Sequence, residues 1–478
     1  MNNKTINNMK KVFSLTQMLL VVLLGLAFGA CSSELSELEP NGGQGSKHTI
    51  MMNFVGGVVG FDQSNQAKAQ IATRATRATS SSWNEGDKIY ITFYNGSDII
   101  PGEATYSATS GWSVSYDGNL TTGTSLKCEA RYFVNATFSS SSLVSLNANS
   151  EIYEDLNATY AYSNGSLTVT ATLSPKTGRM RFTGKADDKI CTTGITIYTT
   201  FSPAINTFST SNAMITSTVG ANGSTPYIYG YFTDSDRNLG LVGSDFAFTR
   251  TCTADMFNTG ESGYMAIPSE ASHNNWRSGL YVKASGIEFK MIPVAGYSGG
   301  FFLMAETETT EALYNSVNGT ASTSQLPTDA ISYSAIKTFI EKLNNYTQLN
   351  FSLPSTEQWQ YAANGGNKSQ GYTYAGSNTP GDVAWYSANC SVKQKVKTKA
   401  PNELGLYDMS GNVAEFVTDL YHYSAYSFPT FCGGSYSSTS ANITKTSYSN
   451  IYDKHGYIST AYYVEDAGIG FRLILTCK

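Results

Sequence analysis

Charge is scarce in this chain. Only 14% of its 478 residues are Asp, Glu, Lys or Arg, the net charge is -5, and there is no basic stripe, so nucleic acid is not an expected partner. Histidine is scarcer still: His48, His273, His422 and His455 are widely scattered. Six cysteines follow Cys31, namely Cys128, Cys191, Cys252, Cys390, Cys432 and Cys477. None belongs to a Cys-x-x-Cys pair, so metal binding through these thiols is not expected. In an oxidising compartment Cys390, Cys432 and Cys477 are candidates for bridging, with the connectivity open. After the first thirty residues no apolar run approaches a membrane span. A nucleophile motif and a phosphate-binding glycine loop are also missing.

What is abundant is Tyr, Ser, Thr, Asn and Gly, a composition typical of extracellular β-rich proteins. A chain of this length is expected to form two to four domains. Lys4, Lys10 and Lys11, the apolar residues 18–28 and the small pair Gly29-Ala30 read as a secretion signal over residues 1–30. Cys31 then stands where a bacterial lipobox has its lipidated cysteine, although Phe28 departs from the usual Leu. Residues 31–47 are an acidic, polar tether that would hold a lipid-anchored body off the outer membrane.

Residues 48–61 read as a strand interrupted by glycines, followed by a polar stretch in which Arg74 and Arg77 sit in an Ala-Thr-Arg-Ala-Thr-Arg repeat. Two arginines on such a stretch suit a trypsin-like protease, or are simply solvated linker charges. Period-two alternation then recurs at 89–94, 104–116, 129–137 and 166–173, and again at 179–183, 195–201, 227–232, 246–251 and 263–267. The expected organisation is an all-β domain over 48–165, a second over 166–285, and a mixed domain over 286–478. Within the last, residues 331–343 carry a helical apolar period. Ser355 with Gln358 forms a capping box that opens a second helix.

The most informative stretch is 402–416, Asn-Glu-Leu-Gly-Leu-Tyr-Asp-Met-Ser-Gly-Asn-Val-Ala-Glu-Phe. Gly411 and Asn412 mark a tight turn where the main chain passes close to something, and Asp408 and Glu415 are carboxylates on either side of it. The spacing fits an all-oxygen cation shell or an ordinary solvated turn.

This stretch resembles the Leu-Tyr-Asp-Met-x-Gly-Asn-Val-x-Glu signature of the formylglycine-generating enzyme, or sulfatase-modifying factor, family. Four further motifs follow the family's order: Phe289 to Gly296, Glu308-Thr309-Thr310 with Thr309 in place of Val, Leu353-Pro354-Ser355-Thr356-Glu357-Gln358-Trp359, and Gly468-Ile469-Gly470-Phe471-Arg472. The resemblance implies an α+β, C-type-lectin-like fold. It also implies a structural calcium on Asp408 and Glu415 and on the carbonyls of Gly411 and Val413. The family's oxidase holds copper on two cysteines after Gly-Gly-Ser-Tyr. Here that motif is Gly433-Gly434-Ser435-Tyr436, but the corresponding positions are Ser438 and Ile443, so copper is not expected. Nor do the four histidines match the three-histidine site of the related sulfoxide synthases.

From residue 421 onward the chain is crowded with tyrosine and small polar residues, the mixture that binding loops favour. Tyr421, Tyr423, Tyr436, Ser438, Asn442, Tyr448, Asn450, Tyr452, Tyr457 and Tyr462 are the candidate ligand contacts, the alternative being the polar surface of a chain with 32 tyrosines. Lectin-like domains diversified by retroelements look similar. The lipobox, the arginine-bearing stretch, the Ser-Trp-Asn-Glu-Gly-Asp-Lys-Ile segment and the β-rich middle resemble the fimbrillin-like lipoproteins of Bacteroidetes. That resemblance implies sandwich domains, cleavage at Arg74 or Arg77, removal of the strand 48–61 and pairing with pilin subunits by strand donation. Three readings follow: a surface adhesin or pilus-tip lipoprotein that binds a glycan or protein, a sulfatase-modifying oxidase, or a structural pilus subunit.

Overall fold

The computed structural model describes residues 47–61, 83–139, 143–232, 238–251, 258–268, 276–423, 426–443, 448–450 and 468–476. The chain divides into two compact units, Met1–His48 and Thr49–Lys478. Of the first, only Lys47 and His48 are described, so the signal segment, the tether and Cys31 lie outside the described residues. So do Arg74, Arg77, Tyr452, Tyr457, Tyr462 and Cys477.

The body Thr49–Lys478 is rich in strands because its sequence alternates. In Ser166–Pro175 every second residue, from Leu167 to Pro175, is buried and its neighbours face outward. This strand, Glu151–Asp155 and Thr159–Ser163 join Lys88–Asn95, Asp98–Ser107, Gly111–Asp117 and Gly123–Val134 in an eight-stranded sheet. The opening strand Lys47–Val58 pairs with Gly111–Asp117 on one side. On the other it lies parallel to Ser166–Pro175, in register from Met52↔Leu167 to Val58↔Leu173. The sheet therefore closes on itself through this strand. Phe93, Val114, Tyr160, Val169 and Leu173 fill its interior.

Sheet membership does not follow the boundaries read from the sequence. Ser166–Pro175, placed after the expected boundary at 165, is hydrogen-bonded into the first sheet. Thr137–Phe138 and Val144–Ser145 instead join a four-stranded sheet with Ile197–Ser202 and Thr207–Ser211. Leu280–Ala284, placed before 286, pairs with Ile287–Val294 in the C-terminal five-stranded sheet. Period two reveals a strand and its buried face, but partners are chosen by non-local pairing that local alternation does not encode.

The C-terminal part is mixed. A five-stranded sheet (Leu280–Ala284, Ile287–Val294, Phe302–Ala305, Ile474–Leu475, Phe351–Ser352) and a four-stranded sheet (Tyr448–Asn450, Tyr426–Cys432, Ala414–Tyr423, Ile469–Phe471) carry the helices Glu311–Val317, Tyr333–Thr347 and Thr356–Ala363. Tyr333–Thr347 begins at Ser332, whose hydroxyl accepts from Ala335 N, and buries Ile336, Phe339, Ile340 and Leu343, the face the period predicts. Thr356–Ala363 opens with the capping box complete: Gln358 N donates to Ser355 Oγ and Ser355 N donates to Gln358 Oε1. Among the described residues no helix is long and apolar enough to cross a membrane.

Candidate functional site

The turn inside 402–416 is buried rather than solvated. Leu406, Met409, Val413, Ala414 and Phe416 lie in the core, and Gly411 and Asn412 both take left-handed φ values, 77° and 59°. A Cβ on Gly411 would fall on the carbonyl of Trp385. The close neighbour of this turn is thus the main chain at Trp385, which also accepts from Asn412 N at 2.8 Å. The Asn412 side chain accepts from Gln394 N at 2.8 Å and donates to Glu308 Oε2 at 2.7 Å, while Glu308 Oε1 accepts from Val413 N at 2.9 Å. Glu308, more than a hundred residues upstream, therefore satisfies donors of the turn.

Glu415 is held differently. Its carboxylate accepts from Arg472 Nε and from an Arg472 terminal nitrogen at 2.7–3.0 Å, and from Trp359 Nε1 at 2.6 Å. The remaining Arg472 donors go to the carbonyls of Ala305 and Tyr407. Asp408 Oδ2 accepts from Lys397 N at 2.7 Å, and Oδ1 has no partner among the described residues. Burial pushes the Asp408 carboxyl up to about 6, the Lys397 amide and Arg472 pulling against it and the Glu415 charge adding to it. Burial, together with the Asp408 and Glu415 charges, raises Glu308 well above the carboxylate range.

These donors do not fit the calcium shell implied for Asp408, Gly411, Val413 and Glu415. A hard cation needs uncommitted carboxylate oxygens, and both oxygens of Glu415 are spent on a guanidinium and an indole that carry the countercharge themselves. Among the described residues no group of three or more His, Cys, Asp and Glu is placed to hold a metal ion.

At the positions of the implied copper cysteines, Ser438 accepts from Ser435 N at 2.9 Å, and Ile443 is fully buried against Val383 and Ala384. Cys390 and Cys432 are both free thiols, and Cys432 is packed in the core beside Met409 and Trp359. Burial, with the Glu415 and Asp419 charges, pushes its thiol far up, the reverse of what a thiolate ligand requires.

The tyrosine-rich face divides into two places. Tyr436, Ser438 and Asn442 come together around the tight turn at Gly434, where a Cβ would fall on the Asn442 carbonyl. Gly468 packs against Ser435 and Tyr436, and its N–H donates to Asp329, which Lys393 in turn ties to Glu311. Tyr448 pairs with Cys432 and Asn450 with Thr430, near this base. Tyr421 and Tyr423 lie at the far end of the hairpin formed by Ala414–Tyr423 and Tyr426–Cys432, with the Tyr421 ring 6.5 Å from Phe428. At about 3.3 Å per residue the tip stands roughly 20 Å from the base. The structure thus joins Tyr436, Ser438 and Asn442 but leaves Tyr421 and Tyr423 apart.

The roles of Arg472, Trp359 and Glu308 as partners of the turn were not read from the sequence. The available signal was charge inside apolar motifs: Arg472 after Gly-Phe and Glu308 before a threonine pair imply buried countercharges.

The chain belongs to the family of sulfatase-modifying factor enzyme 1-like domains, whose pattern matches residues 201–477. It is also similar to a chaperone protein, LppX, of Paenibacillus barcinonensis, 36% identical over 127 residues that make up 22% of this chain and 45% of the relative. This chain therefore spans less than half of that relative's length. Among solved structures, Treponema denticola variable protein 1 is 21% identical with a TM-score of 0.35, over 41% of this chain and 98% of that one. A fimbrial protein from Bacteroides ovatus is 12% identical with a TM-score of 0.23, over 90% of this chain and 99% of that one.

Proposed function

We propose that this protein is a cell-surface lipoprotein of the adhesin or pilus-tip type, in which a lectin-like scaffold of the oxidase family presents a tyrosine- and hydroxyl-rich face to a glycan or a protein. The observation that carries the reading is Ile443. Where the family resemblance requires a second copper thiolate, an apolar side chain is fully buried against Val383 and Ala384, and Ser438 replaces the first. Tyr436 and Asn442 stand partly or fully exposed beside it, on a turn fixed by Gly434 and Gly468. Rigid tyrosines flanked by small polar groups supply contact area at low entropic cost.

The test is a copper-supplemented formylglycine assay on a Cys-x-Pro-x-Arg peptide. No product is expected, and turnover would replace this reading with the sulfatase-modifying one.

The pilus-subunit reading is favoured by one feature of its own. Lys47–Val58 closes the first sheet with Met52 and Val58 buried, Ile50 and Phe54 half-buried against the core, and Met51 and Val55 exposed. A strand so held can be exchanged for a donated one. Trypsin treatment at Arg74 or Arg77 followed by fibre formation would support it, and a chain that stays monomeric after cleavage would remove it.

A further inference from the structure

A cleft of about 390 Å³ opens between Ile287–Val294, the stretch 305–310 and the loop 395–398, and its residues are not those of the loop face. It is within the roughly 300–1,000 Å³ typical of small-molecule sites. Its floor is apolar, made by Phe289, Ala305, Leu313 and Leu473. Its charge is unbalanced. Glu306 faces two ammoniums at once, Lys290 at 3.1 Å and Lys397 at 2.6 Å. Lys395 lines the same cleft with no carboxylate partner among the described residues. The other lining carboxylates are engaged elsewhere: Glu288 is held bidentately by Arg277 at 2.7 and 2.8 Å, and Glu308 accepts from Asn412 Nδ2 at 2.7 Å and from Val413 N at 2.9 Å. Three ammoniums, Lys290, Lys395 and Lys397, thus share the single carboxylate of Glu306 beside the apolar floor.

The second, independent observation is Thr309. It lines the cleft, is 3% exposed, and its hydroxyl has no hydrogen-bond partner among the described residues. A buried polar group without a partner is costly and points to a missing one. The cleft is fixed by its own frame: Lys397 takes a left-handed φ of 67° while its N–H is tied to Asp408, and Val396 N donates to Gln325 O.

We propose that this cleft binds a small organic acid, its carboxylate between Lys395 and Lys397, its body over Phe289 and Leu473, and a polar atom meeting Thr309. Glu306 occupies the lysines in the free protein, so the ligand competes with it. The inference goes beyond the adhesin reading and survives its failure, because it concerns different residues and a ligand of a different size.

The experiment is calorimetric titration of the full chain with glucuronate and with phenylacetate, each compared with its methyl ester. The two acids distinguish a sugar body from an aromatic one. At least one acid is expected to saturate below about 10 mM and to bind about tenfold more tightly than its ester. Lys395→Ala with Lys397→Ala is expected to lose about tenfold, and Thr309→Val a smaller factor. Glu306→Gln is expected to bind the acid more tightly than the parent while the methyl ester gains nothing, and the gain is expected to vanish for inorganic chloride at equal concentration, which has no body to lie over Phe289 and Leu473. If the double lysine variant does not fold, as read by its melt, the Glu306→Gln gain together with the Thr309→Val loss decides. Equal binding of acid and ester, no saturation by either acid, or no gain in Glu306→Gln would overturn the proposal.

Discussion

Arg472 and Glu415 form a two-pronged ion pair at 2.7–3.0 Å, with side chains 0% and 1% exposed, joining the last strand region to the turn at Gly411. A buried pair stabilises little against an apolar substitute, but removing one partner strands a charge in the core. Arg472→Met is therefore expected to cost about 3–5 kcal/mol, read as a lower urea midpoint. A loss below about 1 kcal/mol would mean that solvent reaches Glu415.

Gly411 is irreplaceable for a different reason. Its φ of 77° is one that side chains resist, and any Cβ would collide with the Trp385 carbonyl. Gly411→Ala is expected to lower the thermal midpoint more than Gly405→Ala, which has a similar φ of 91° but open space around the added carbon. Equal losses would show that conformational strain, and not the Trp385 contact, sets the cost.

Stability should depend on pH through Asp408. Its carboxyl titrates at about 6 in the folded chain, up from 3.8, because burial disfavours the charged form. The folded state thus holds the proton more tightly than the unfolded one. Stability is expected to rise as pH falls from about 6.5 to about 4, by roughly 2–3 kcal/mol at most. Asp408→Asn keeps an acceptor for Lys397 N–H and removes the charge, so it should flatten that slope and raise stability at neutral pH. Denaturant melts of both proteins across this range check it, and identical slopes would contradict it.

Calcium is expected to be irrelevant to the melt. With both Glu415 oxygens bonded to Arg472 and Trp359, adding a chelator or millimolar calcium should leave the midpoint unchanged. A rise of several degrees with calcium would mean that the cation displaces Arg472.

How far the sequence foretold this molecule depends on the range of the interaction concerned. The helix Tyr333–Thr347 and the Ser355–Gln358 capping box were legible because their signals lie within a few residues. Strand existence was legible at Ser166–Pro175 from its alternation. Its parallel partner Lys47–Val58, over a hundred residues away, was not. The motif around Gly411 announced a crowded turn correctly, yet its carboxylates were given a cation as counterion. The true counterion, Arg472, lies 57 residues from Glu415, and nothing in local spacing pairs the two. Likewise, tyrosine content marked 421–462 as one face, whereas hairpin register separates Tyr421 from Tyr436.

The most direct test of the binding role is a screen of the purified protein on glycan and host-protein arrays beside a Tyr436→Ala, Asn442→Ala variant of matched melting temperature. The expected result is a defined set of ligands held by the parent and lost by the variant. Absence of any ligand, or ligands bound equally by both proteins, would contradict the account.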